Sequence, residues 1–189
     1  VAAALQMLDA EQRPDVLLLS GDITQRATRA QFAAARAYVD TLGVPQVLAI
    51  PGNHDIPLFN LVARLFWPYA RFRRAFGTAL ESEFENDDLL LLALNTTRRW
   101  RHVDGELSAA QIEQVAARLQ RAPRHRWRVV VTHQPMAVPR VQDERDLLHG
   151  HAPALQRWAE AGADVLMGGH IHLPYVLPMH QRTPGLPQA

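Results

Sequence analysis

The sequence predicts an α/β domain with a largely parallel sheet. Three observations carry that prediction. Short apolar runs that read as buried strands alternate with helix-period segments along the 189 residues. Gly, Pro, Asn and Asp punctuate the changeovers. Each buried run then gives way to polar residues, mostly Asp, Asn and His, and in such sheets ligands bind beyond the carboxyl ends of the strands.

In chain order, residues 1–12 set Val1, Leu5 and Leu8 on one face and predict a helix. "DVLLLS" (15–20) predicts a buried strand. Residues 28–42 place Phe32, Val39 and Leu42 on a helical stripe that Gly43 stops. "PQVLAI" is the next strand. Residues 58–76 read as a broken helical region, interrupted by Pro68. "LLLLALN" (89–95) predicts a strand in a hairpin with "SEFE" through Asn86, Asp87 and Asp88. Ser108 and Gln111 have capping-box spacing ahead of a helix to residue 120. A strand at "WRVVVTH", a helix over 152–161 ending at Gly162 and a strand at "ADVLMGGH" follow. The tail from residue 173 carries four prolines and is expected to hold one short strand near 175–177. No repeat or linker divides the chain, so residues 1–189 read as a single domain.

Composition excludes several chemistries. There is no Cys, so disulfides, thiolate zinc sites and cysteine nucleophiles are absent. All 20 basic residues are Arg, which removes Schiff-base catalysis and the phosphate-gripping Lys of a P-loop. A net charge of +1 gives no global pull toward nucleic acid or membrane. The Arg clusters at 71–74, 98–102 and 124–128 read as solvated faces. No apolar run is long enough to span a bilayer. The Cys-free composition fits a reducing, cytoplasmic setting, although the chain opens on Val1 rather than Met.

The functional signal lies at the strand ends. Gly21-Asp22, Pro51-Gly52-Asn53-His54-Asp55, His133 and His170-Ile171-His172 each follow a buried run, and Asn95 follows another. Singly, Asp22 fits a turn or helix N-cap, Gly52-Asn53 a turn, and His133 a structural histidine. Their recurrence at four strand ends points to one shared site. Imidazole nitrogen with carboxylate and amide oxygen suits Mn, Fe, Zn and similar divalent ions. In an extended backbone His170 and His172 would point to one side while Ile171 packs inward, so the pair could serve two adjacent ions.

This ordered set resembles the motif series of the calcineurin-like metallophosphoesterases, most of all their bacterial cyclic-nucleotide phosphodiesterase branch, over residues 15–172. The resemblance implies an α/β/β/α sandwich and two divalent ions (Mn, Fe or Zn) sharing an attacking hydroxide. It implies that Asp22 bridges the ions, that Asn53, His133 and His170 complete one of them, and that His172 belongs to the other. His54 would protonate the leaving oxygen, with Asp55 orienting it. Asn95 and Arg98 lie on the expected active edge and are read as substrate-binding, with a guanidinium there suited to gripping phosphate.

One family motif, D-x-H, has no counterpart, and beyond the Pro-rich tail no match to the family's late strands is read. The expectation is therefore a domain truncated at both ends, nearly inactive as given, with at most one tightly bound ion. The expected activity of the whole is hydrolysis of a small phosphoester, a cyclic nucleotide or similar diester, with no membrane partner and no nucleic acid. The oligomeric state is left open. A non-catalytic binding scaffold and a DNA-processing nuclease of the same fold are the alternatives.

Overall fold

The computed structural model describes residues 5, 7–9 and 12–179. Among the described residues, six strands form two sheets. β1 (Val16–Leu19) pairs in parallel with β2 (Gln46–Ala49). The second sheet has the order β3 (Ser82–Glu85), β4 (Leu89–Ala93), β5 (Trp127–Val131), β6 (Val165–Met167). β3 and β4 are an antiparallel hairpin, and β4, β5 and β6 run parallel. The hairpin turn is held by Asn86, whose Oδ1 accepts the N–H groups of Asp88 and Leu89 at 3.0 and 2.8 Å.

Strand alternation builds four layers. In β2 and its extension, Leu48 and Ile50 face the second sheet, where they meet Leu91 and Ala93 of β4 and Val129 and Val131 of β5. The intervening Ala49 faces the other way and packs with Phe32 and Phe72 under the first helical layer. In β4 and its extension, Leu90, Leu92 and Leu94 face outward, beneath the second helical layer. Helices, sheet, sheet and helices therefore enclose three apolar cores, the expected α/β/β/α sandwich. The sequence reading of one common sheet edge is corrected by this arrangement: the site strands belong to two sheets packed face to face.

Helix α1 (Arg29–Thr41) opens on a capping box between Thr28 and Gln31 and buries Phe32 and Val39. α2 (Leu61–Phe66) and α3 (Ala70–Phe76) are the two halves of the broken region on either side of Pro68. α4 (Ala109–Arg121) has the expected Ser108–Gln111 capping box. α5 (His151–Ala161) ends on Gly162 in the left-handed region. Its Trp158 is fully buried and donates Nε1–H to the Ile112 carbonyl at 2.9 Å, which fixes α5 against α4.

Two expectations fail here, and a third lies largely outside the described residues. β6 stops at Met167, and His170 and His172 have φ of 72° and 53°, so the His170–His172 stretch is not extended. No strand forms at 175–177 among the described residues; Tyr175 instead donates its hydroxyl to the Ala137 carbonyl at 2.6 Å. The helix expected over 1–12 is the one that is mostly undescribed.

Candidate metal centre

Asp22 sits three residues past the end of β1, on a sharp reversal. Gly21 has φ 98° and Asp22 φ 51°, both left-handed. The turn is tight because three chain segments meet there. A Cβ on Gly21 would overlap His133 Nδ1 and lie 2.8 Å from the Gly52 nitrogen. A Cβ on Gly52 would overlap the backbone nitrogen and Oδ1 of Asp22. Glycine at both positions lets the ends of β1 and β2 close onto the histidine that leaves β5. The Asp22 Oδ1 accepts the His54 backbone N–H at 2.9 Å, which ties the two strand ends together.

His133 is 1% exposed. Its Nδ1 donates to the Ser20 carbonyl at 2.8 Å, an acceptor only, so the neutral ring carries its lone pair on Nε2. That nitrogen lies 3.1 Å from Asn53 Oδ1 and 3.3 Å from Asp22 Oδ1. Three acceptors thus converge with no donor among them unless a proton or a cation stands between. His170 joins them. One ligand atom from each of Asp22, His133 and His170 lies within 4.8 Å of the others. The two imidazoles are 5.2 Å apart between centroids, at 74°. His170 Nδ1 is buried with no hydrogen-bond partner. One proton on His133 leaves that nitrogen bare, whereas a divalent cation serves both rings and the carboxylate. The donor set fits such an ion.

Backbone pairing brings His170 in. Thr132 N–H donates to the Met167 carbonyl at 3.0 Å and Gly169 N–H to the His133 carbonyl at 2.8 Å, continuing the β5–β6 ladder past the strands. The chain then turns left-handed at His170. Asp22, His170 and His172 are three of the four non-glycine residues with positive φ among the described residues, and such strain gathers at functional sites. His172 is exposed and stands outside the three-residue group.

The electrostatics agree with the geometry. Burial pushes the Asp22 carboxyl up, but the hydrogen bond and charge of His133, with the His54 N–H, hold it below the ordinary carboxylate value. Burial, then the charge of His133, lowers His170 below the ordinary imidazole value of 6.5. Asp22 and Asp146 pull His170 the other way and are overcome. A carboxylate kept ionised beside an imidazole kept neutral is a pair ready to bind a cation.

Asp55 does not orient His54, contrary to the expectation. Its Oδ1 accepts Thr24 N–H at 2.8 Å and Thr24 Oγ1–H at 2.9 Å. Its Oδ2 accepts Gly52 N–H at 2.9 Å and Ile23 N–H at 3.1 Å. Asp55 is therefore a buried brace between the ends of β1 and β2. Burial raises its carboxyl against these four donors. His54 is held by Gln25 instead: its Nδ1 is 3.1 Å from the Gln25 carbonyl and 3.5 Å from the Gln25 side-chain nitrogen. That contact leaves Nε2 as the outward nitrogen.

Asn95 and Arg98 make local hydrogen bonds in the loop after β4. Asn95 Oδ1 accepts the N–H and hydroxyl of Thr97 at 3.1 and 2.7 Å. Arg98 donates to the carbonyls of Asn95 and Thr97 and to Gln111 Oε1 at 3.2, 2.9 and 2.6 Å. These groups shape the loop after β4. His149 and His151 serve locally, against Asp104 and the Leu148 carbonyl. The residues missed from sequence are Ser20, Thr24 and Gln25. Ser20 and Gln25 act through backbone carbonyls, which leave no side-chain signal. Thr24 had only its closeness to Gly21-Asp22 to mark it.

Comparison with known proteins bears on the family of this fold. A 47-residue segment is 45% identical to a protein of Synechococcus sp. named a probable cyclic nucleotide phosphodiesterase. The shared segment covers 25% of this chain and 18% of that relative. The family profile described as calcineurin-like phosphoesterase matches residues 1–174, nearly the whole described fold. With the sandwich and the strand-end cluster in the family's order, this chain belongs to the calcineurin-like phosphoesterase family.

Proposed function

We propose that this chain carries the cation-binding part of a metal-dependent phosphoester hydrolase acting on phosphodiesters, cyclic nucleotides among them. The observation that supports it most is the convergence of Asp22, His133 and His170 around the unpartnered His170 Nδ1, with Asn53 Oδ1 facing the same space. Asp22, Asn53, His133 and His170 would hold one divalent ion, and His172 a second, with Mn, Fe and Zn suited to the donors. A bound ion supplies Lewis-acid stabilisation of charge on the phosphoryl oxygens and a water of lowered pKa.

The chain's own residues do the rest. Ser20 fixes the His133 ring, so that Nε2 faces Asn53 Oδ1 across the cation space. Gln25 holds His54 Nδ1, so that the doubly protonated ring can give its Nε2 proton to the departing alkoxide. Asp55 keeps the Gly52–His54 turn in register with Asp22. The diester preference rests on the Synechococcus relative's name, over a short segment.

The experiment is a hydrolysis panel of an aryl phosphomonoester, a linear aryl diester and cyclic nucleotides, run with Mn, Fe, Zn or Co on the longest form of the protein containing this chain. Metal-stimulated cleavage favouring the diesters is expected. Metal-independent turnover, or none with any ion, contradicts the proposal.

A further inference from the structure

We propose that α2 and the loop carrying Trp100 form a self-association surface, closed by a second copy of this chain. Leu61, Val62, Leu65, Phe66, Trp67 and Trp100 are each more than half exposed, Leu61 at 72% and Trp100 at 67%. Leu61 with Leu65 and Val62 with Phe66 are i,i+4 pairs, so one helical face carries all four. Phe66 and Trp67 rings lie 5.8 Å apart. Soluble proteins rarely leave such a contiguous apolar face open.

The face is built, not loose. Arg64, on the other side of α2, donates to the carbonyls of Pro57 and Arg99 at 3.2 and 2.7 Å and also to that of Arg101. Arg99 returns a bond to the Leu65 carbonyl at 2.9 Å. Tyr69 adds a hydroxyl bond to the Thr97 carbonyl at 3.0 Å. The Trp100 loop and α2 are thereby one rigid unit, and a preorganised surface loses little entropy on docking.

Charge and area choose the occupant. Arg64, Arg98 and Arg99 direct donors to carbonyls or Gln111, and Arg101 pairs with Glu106 at 2.8 Å. Guanidinium groups so engaged are poorly placed to grip a phosphate backbone or a lipid headgroup. The net charge of +1 gives two copies little reason to repel. Each aromatic offers roughly 150–250 Å². With the Leu and Val side chains this approaches the roughly 800 Å² per partner of a standard interface. A two-fold axis across α2 makes the patch its own complement.

Sedimentation equilibrium on the purified chain, up to about 1 mM, where even a millimolar complex is substantially formed, tests this. The native chain should dimerise. Leu65→Glu and, separately, Trp100→Ser should raise the dissociation constant by about 30-fold or more, with the melting temperature unchanged at a concentration where every form is monomeric. Val141→Glu, at an 81% exposed apolar position elsewhere, should leave it unchanged. Monomer throughout overturns the proposal. So does a dimer indifferent to both patch variants. Co-sedimentation of a monomeric chain with phosphatidylglycerol vesicles, lost in Trp100→Ser, would give the face to a membrane and likewise overturn it.

Discussion

His133 donates its Nδ1 proton to the Ser20 carbonyl at 2.8 Å, a bond between residues 113 apart in sequence. It joins the end of β5 in one sheet to the end of β1 in the other. Its chemical effect is to fix the tautomer, and with it the direction of the Nε2 lone pair toward Asn53 and Asp22. One contact thus links the ends of the two sheets to the readiness of the site.

The roles of Asn53 and His54 should separate. His54→Ala is expected to lower kcat by about 10²–10⁴-fold while Mn²⁺ affinity stays near native. Asn53→Ala should weaken Mn²⁺ binding by about 10-fold or more. Gln25→Ala should act on kcat alone and more mildly, because the carbonyl at 3.1 Å from His54 Nδ1 survives the substitution. Diester hydrolysis and metal titration calorimetry on the same preparations read both effects. Equal loss of metal in His54→Ala and Asn53→Ala would undo the division.

Asp55 should behave as a structural residue. Asp55→Ala leaves the N–H groups of Ile23, Thr24 and Gly52 without their acceptor. At about 1–3 kcal/mol for each buried group left unsatisfied, a loss of roughly 3 kcal/mol or more is expected in urea unfolding. Asp55→Asn should also destabilise, since its amide NH₂ would face a donor. A loss below about 1 kcal/mol in Asp55→Ala would show that the brace carries little.

Metal-free stability should fall on the acid side of neutrality. His170 has a folded pKa below its ordinary 6.5, so the unfolded chain takes up its proton first as pH drops. Stability from this group is present above 6.5 and is lost as pH falls from there toward the folded value. Asp22, also lowered, adds a second loss below its ordinary 3.8. Denaturant midpoints for the metal-free chain should therefore drop between neutral pH and the acid side of 6.5, and His170→Gln should flatten that first drop. A native profile already flat through this range would contradict the assignment.

Much of this was legible in the sequence, for physical reasons. The alternation that buries Leu91 and Val129 on one face and Leu90 and Val130 on the other made β4 and β5 plain. The capping box at Ser108 marked the start of α4. The gathering of Asp22, His133 and His170 followed from polar residues at strand ends. What escaped were contacts that carry no sequence period. The resemblance implied a sandwich of two sheets, but the residues alone did not say which strands share a sheet, since runs such as "DVLLLS" look alike in either. The left-handed turns at His170 and His172 are imposed by tertiary context against local preference. The role of orienting His54 came to Asp55 from the family resemblance, whereas its side chain turns back to Thr24.

A crystal of this chain soaked in Mn²⁺ and measured for anomalous scattering addresses the cation site without intermediary. A peak is expected in the space bounded by Asp22, Asn53, His133 and His170, with His170 Nδ1 no longer bare and the His133–Ser20 bond kept. Soaked crystals with no peak there, and the Asp22, His133 and His170 side chains unmoved, would contradict it.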